Sequence, residues 1–297
     1  MQAFSTCPGC PVAANPMHLQ PLLTLCCAVL CLFMAGCAPK NYGDDQYQLR
    51  MAAAGKDIMW VPSKLEIVHK MLDAAQVTSA DVVYDLGSGD GIIPLEAARR
   101  HGARSVGIEY NPDLVALAQR NAKRADLERL VTFKRGDIFV EDFSEATVVT
   151  LYLGENLNAK LMPRLLKMRP GTRVVSNLFR IESWVPDQEI RTSSGEIAFL
   201  WVVPATIDGR WTFAGIPEAG QVTIEFRQKK QFFDANIFFD GRRVARIEDA
   251  RLRGNQLSLE FSHAGRPYLV NGLVQGGRFN GVLNRDPKLV VSGQMVP

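Results

Sequence analysis

The stretch Asp85-Leu86-Gly87-Ser88-Gly89-Asp90-Gly91 sets three glycines at alternate positions among two carboxylates. Glycine lets a backbone turn tightly and approach a ligand where a side chain would collide. A helix starting just after such a turn offers free amide groups to an anionic group. Two more acids stand downstream, Glu109 in "GIEYNP" and Asp137 in "RGDIF". A carboxylate near the end of a second strand can accept hydrogen bonds from both hydroxyls of a ribose. The chemistry suggested is the holding of a nucleotide-like ligand. The dinucleotide fingerprint G-x-G-x-x-G is not met, because its third glycine would fall at Ile92.

These groups need strands and helices to position them. The spacing predicts a strand at residues 82–86 and a helix at 92–100, with Pro94 tolerated in its first turn. Ser63-Lys64-Leu65-Glu66 has the spacing of a capping box. Leu65, Val68 and Leu72, flanked by Ile67 and Met71, then form one apolar helix face. Further strands are expected at 105–110, 131–134, 146–153 and 169–176, with a helix at 157–168. Asn111-Pro112-Asp113 reads as a helix start with proline at its first position. Residues 189–192 and 197–203 suit a closing antiparallel pair. The fold class is α/β, with the acids at the C-terminal ends of strands.

The D-x-G-x-G-x-G pattern resembles motif I of the class I S-adenosylmethionine (SAM) methyltransferases, so a Rossmann-like sheet is expected. "VPSKLEIVHKML", "DLGSGDG", "GIEYNPDLV", "RGDIF", "EATVVTLYL" and "PGTRVVSNLF" together resemble one branch of that class. It contains the lysine methyltransferases of the adenine nucleotide translocator and the ATP synthase c-subunit, with bacterial relatives. The likeness spans most of residues 61–186, and only motif I is generic. It implies SAM as cofactor, held by Asp85, Gly87, Ser88, Gly89, Asp90, Gly91, Glu109, Asp137 and Ile138. The glycine turn would cradle the methionine part, Glu109 the ribose and Asp137 the adenine. Pro62 and Ser63 match an upstream segment that also touches SAM in a related enzyme; a capping role for Ser63 is the alternative.

Methyl transfer from a sulfonium needs position and a water-poor pocket rather than a metal. A lysine acceptor must first lose its proton, from a reference pKa near ~10.4. The acceptor site is expected beyond the fourth and fifth strands, where Tyr152, Glu155, Asn156, Asn177 and Phe179 are available. Tyr152 and Phe179 suit a channel for an aliphatic amine, and Glu155 a site for its cation. Each also fits packing or surface. The N-P-P-Y motif of amide and adenine methyltransferases is absent after the fourth strand.

The chain has 297 residues, enough for two domains at roughly 100–200 residues each. Its net charge of +3 gives no argument for nucleic acid, and none is expected as a partner. Arg242, Arg243, Arg246, Arg251 and Arg253 read as a solvated sheet face. All six cysteines lie at or before Cys37, and the four histidines are scattered, so no metal site is expected.

Residues 22–36 form an apolar run of signal-peptide length, ending in Met34-Ala35-Gly36-Cys37, which resembles a bacterial lipobox. Residues 1–37 are thus expected as a signal and lipobox region with lipid on Cys37, and 38–55 as a polar tether. The protein would then be a lipoprotein of the bacterial envelope. No Lys or Arg precedes Lys40, while Lys40, Arg50 and Lys56 follow the run. By the positive-inside rule this leaves open an inner-membrane anchor with the body in the cytoplasm.

The SAM domain is expected over 56–204. Residues 205–297 carry short alternating runs with hairpin signals at Asp240-Gly241 and Gly254-Asn255. They predict a small antiparallel sheet or barrel, loosely lipocalin-like, able to hold a ligand or dock a protein. The function expected is SAM-dependent methylation of a protein lysine. A SAM-binding or envelope-binding protein without turnover, and a small-molecule methyltransferase, are the alternatives.

Overall fold

The structure, a computed structural model, describes residues 40–217, 220–243 and 246–296. Its first sheet is built from β1 (Val82–Leu86), β2 (Arg104–Glu109), β3 (Val131–Arg135), β4 (Val148–Leu151), β5 (Arg173–Asn177), β6 (Gln188–Arg191) and β7 (Ile197–Val202). The order is β3-β2-β1-β4-β5-β7-β6, parallel from β3 to β5 and antiparallel where β7 joins β5. Burial explains the near-continuous apolar runs. All four residues of β4, "VVTL", are buried, as expected of a strand covered on both faces.

Four helices cover this sheet: α1 (Leu65–Ala74), α2 (Ile92–His101), α3 (Pro112–Arg124) and α4 (Glu155–Leu165). On α1, Ile67, Val68, Met71 and Leu72 are buried, while Leu65 is half exposed. The capping box does not form. Lys64 is the N-cap without a side-chain bond, and Glu66 accepts from the amide and hydroxyl of Ser193 instead. The Asn111 side chain does cap α3, accepting from the Asp113 amide at 2.9 Å, with Pro112 following. Helix α4 starts earlier than the sequence suggests, because Gly154 at φ +90 turns the chain directly into it.

Residues 40–61 do not hang free as a tether. Leu49 is fully buried against Leu114 and Leu117 of α3, with Tyr42, Tyr47, Ala53 and Trp60 around it. Burying a leucine contributes roughly 1.5–3 kcal/mol. Asp44 adds ion pairs to Arg120 at 2.7 Å and Arg124 at 3.1 Å. These guanidinium groups, Arg120 first, hold its carboxyl well below the usual carboxylate range. The segment is a strap packed on α3.

The second sheet has nine antiparallel strands: β8 (Gly209–Ala214), β9 (Val222–Lys229), β10 (Phe232–Phe239), β11 (Arg242–Arg243), β12 (Arg246–Arg253), β13 (Gln256–His263), β14 (Arg266–Gln275), β15 (Arg278–Leu283) and β16 (Asp286–Met295). Their order is β11-β10-β9-β8-β16-β15-β14-β13-β12. The two predicted turns fall between β10 and β11 and between β12 and β13. The sheet curls so that Phe239 of β10 meets Phe261, His263 and Tyr268 of β13 and β14. Trp211, Phe213, Phe226 and Phe279 pack together in its interior.

This domain docks at the end of the first sheet away from the glycine turn. The Ala205 amide donates to the Gly254 carbonyl at 2.8 Å. Gly254 itself lies against Gly171 and Val202, and Gln231 donates to the Val185 carbonyl.

Candidate functional site

The site grows out of the C-terminal ends of β1, β2 and β3. Beyond β1 the chain turns through Gly87, Gly89 and Gly91, at φ +81, +54 and +87. The Gly87 and Ser88 amides donate to the Ile108 carbonyl at 2.8 and 3.0 Å, tying the turn to β2. At the end of β2, Glu109 accepts from the Gly89 amide at 3.0 Å and the Asn111 amide at 2.9 Å. One carboxylate thus fixes both the glycine turn and the start of α3, with oxygen lone pairs left for further donors. Asp137, after β3, accepts from the Phe139 amide at 2.9 Å and pairs with Lys56 at 2.8 Å. Lys56 and the Phe139 amide hold the Asp137 carboxyl below its ordinary range.

These groups line one cleft. Ser63, Asp85, Gly87, Ser88, Gly89, Asp90, Glu109, Asp137 and Ile138 all face it. Gly91 does not. A Cβ there would stand 2.5 Å from the Phe133 ring, so this glycine permits core packing rather than ligand approach. Pro62 lines a neighbouring cleft instead.

Part of the lining escaped the sequence reading. The strap supplies Lys56, Ile58, Met59, Trp60 and Val61, and Trp60 lies directly over Gly89. The only sequence signal was a tryptophan two residues ahead of Pro62-Ser63.

Of the five acceptor candidates, Tyr152 lines the main cleft and the neighbouring one. Phe179 lies 6.0 Å from its ring, and Asn177 lines the neighbouring cleft. Glu155 and Asn156 face outward at the start of α4 and line neither, so Glu155 does not supply the charge assigned to it. The helix begins at Glu155, so its first two positions fall on the exposed face while Leu157 and Asn158 are buried.

Electrostatics favour a ligand with a cationic group. Asp85 is buried, accepts from the Thr150 hydroxyl at 2.7 Å, and is pushed up to about 7 by burial, with Glu109 and Asp90 adding to the rise. Burial pushes Asp90 up to about 6. The Ser88 hydroxyl is buried with no hydrogen-bond partner among the described residues. A polar ligand in the glycine turn would satisfy it.

The raised carboxyls make the ligand-free protein pH-sensitive. Each keeps its proton in the folded chain after the unfolded chain, titrating near ~3.9, has lost it. The folded state therefore binds more protons in that window, and stability falls as pH rises from about 4 to about 7. Asp90 is half titrated near 6 and Asp85 near 7, so the upper part of the slope belongs mostly to Asp85. Asp85→Asn should flatten thermal stability between about pH 6 and pH 8. An unchanged slope in melting curves of the variant would reject Asp85 as the group.

Among the described residues no cluster of His, Cys, Asp and Glu could hold a metal, and no helix is long and apolar enough to cross a membrane. Cys37, the lipobox and the apolar run lie outside the described residues.

Residues 85–188 match the model of the ANTKMT methyltransferase domain. A protein-lysine N-methyltransferase of Saccharolobus islandicus is 38% identical over 151 residues, covering 49% of this chain and 94% of the relative. An ATP synthase c-subunit lysine N-methyltransferase of Caenorhabditis elegans is 31% identical over 155 residues, covering 49% of this chain and 79% of the relative. A solved RNA methyltransferase from Salinibacter ruber, in complex with S-adenosyl-L-homocysteine, is 50% identical with a TM-score of 0.48. It covers 50% of this chain and 96% of that one.

Proposed function

We infer the function from one premise: the chain belongs to the SAM-dependent protein-lysine methyltransferases that contain the ANTKMT methyltransferase domain. It is a methyltransferase, and SAM is its cofactor. We propose that it methylates a lysine side chain of a protein at the cell envelope. The observation that carries this reading is a pair of clefts joined at Tyr152, one suited to SAM and one open to an acceptor.

The residues fit the cofactor. Glu109 would take the ribose hydroxyls and Asp137 the adenine, which requires Lys56 to give up its bond. Asp85 and Ser88 would meet the polar methionine end, the carboxylate facing its ammonium. When bound, SAM supplies a methyl on sulfonium: the new N–C bond forms as the S–C bond breaks, leaving a neutral thioether. The protein's part is orientation and dryness. The apolar wall of Tyr152, Leu153 and Leu157 disfavours an ammonium and so favours the neutral amine, whose proton passes to water.

Incubation of the protein with methyl-labelled SAM and an extract of its native host tests this. The expected label is acid-stable and sits on protein lysine. Label confined to RNA or to the low-mass fraction would overturn it. The envelope tether belongs to the same reading and is supported by the apolar run and Cys37. In this reading the anchor is Cys37, ahead of the segment whose Tyr42, Tyr47, Leu49 and Ala53 pack on the body. Mass spectrometry of the native N-terminus should find lipidated Cys37. An uncut chain keeping residues 22–36 would leave a cytoplasm-facing anchor instead.

A further inference from the structure

The second cleft is lined by Pro62, Lys64, Tyr152, Asn177, Ser194 and Glu196, among others. Its charged element is Glu196. That residue closes the turn between β6 and β7, where its amide donates to the Thr192 hydroxyl at 2.9 Å and the Thr192 amide donates to its carbonyl at 3.0 Å. Glu66 of α1 grips the same turn by accepting from Ser193 and Ser194. The Glu196 carboxylate is thus held on a braced loop, and the Lys64 ammonium sits 3.1 Å from it. A lysine side chain already lies in this cleft.

Glu196 also acts on the residue shared with the cofactor cleft. The Tyr152 phenol is pushed up, first by burial and then by the charge of Glu196, with Lys64 opposing. Beside it, the Phe179 amide donates to the Asn177 carbonyl at 2.7 Å, closing a three-residue turn with Leu178 at φ +65. Such a turn is strained, and strain of this kind collects at ligand sites.

We propose that this second cleft receives the acceptor lysine, that Glu196 is its ammonium-binding residue, and that Lys64 competes with the acceptor for the same carboxylate. The assignment rests on the protein-lysine reading above and names the residue that sequence analysis had sought in Glu155. Exposed ion pairs are weak, so an incoming ammonium exchanges with Lys64 at little cost. Glu196 stabilises the cation and therefore recruits it; deprotonation belongs to the drier passage past Tyr152.

The test uses the whole protein with S-adenosylhomocysteine and Nα-acetyl-lysine amide as probe, followed by saturation-transfer NMR. Signals on the probe methylenes are expected in the unmodified protein, stronger in Lys64→Met, and weaker by up to about fivefold in affinity for Glu196→Gln. The Glu196→Gln protein should bind SAM and melt as the unmodified protein does, which separates a lost contact from a lost fold. No signal in the unmodified protein, or equal signal in Glu196→Gln, overturns the proposal. Probe binding weakened in Glu196→Gln, with no lysine methylated in the extract assay, would uphold the cleft and sink the methylation reading.

Discussion

Glu109→Ala is expected to cost the protein about a hundredfold or more in SAM affinity. Each hydrogen bond to a charged group contributes about 1.5–3 kcal/mol, or roughly tenfold to a hundredfold in binding. The residue has two tasks. Its oxygens accept from the Gly89 and Asn111 amides, so its loss loosens the glycine turn and the start of α3 together. The remaining lone pairs are the ones assigned to the ribose. Calorimetry with SAM measures the effect, and NAD serves as the control ligand. Affinity within about tenfold of the unmodified protein would remove Glu109 from the cofactor site.

Gly91→Val is expected to lower stability by several kcal/mol, on the order set by backbone strain and overpacking together. Gly91 is at φ +87, and a Cβ would stand 2.5 Å from Phe133 and 3.1 Å from Ala118. A left-handed backbone costs roughly 1–2 kcal/mol for a residue with a side chain, and overpacking roughly 1–3 more. The sum, about 2–5 kcal/mol, corresponds to a fall in melting temperature on the order of 10 °C. Gly89→Val should behave differently. Its Cβ would meet the Trp60 indole 2.6 Å away, a single side chain carried by the strap rather than by the sheet core. That variant should fold, lose SAM affinity and change its tryptophan fluorescence. Equal losses of melting temperature in both variants would show that the strap is as rigid as the core.

The contrast between these two glycines marks the limit of the sequence. The spacing of Gly87, Gly89 and Gly91, and the placing of Glu109 and Asp137 at predicted strand ends, were local facts. Strand–turn–helix periodicity is written in neighbouring residues, so the sheet and its cofactor acids were legible from the chain alone. So were the hairpins at Asp240-Gly241 and Gly254-Asn255, whose turn chemistry is local too. Which way each glycine's missing side chain would point was not local: it depends on Phe133 and Trp60, which approach from 42 residues downstream and 29 residues upstream.

The strap shows the same division. Residues 41–55 are polar enough to read as a tether, and only Leu49, Tyr42 and Tyr47 meeting α3 make them part of the body. The acceptor charge was sought at Glu155 because it follows β4 directly. Glu155 is exposed at the first position of α4, and the antiparallel return of β6 and β7 places Glu196 with Tyr152 in one cleft. A sequence determines local geometry through short-range sterics and hydrogen bonding. The pairing of Glu196 with Lys64, 132 residues apart, was decided by the closing of the sheet, because only the packed chain brings those charges together.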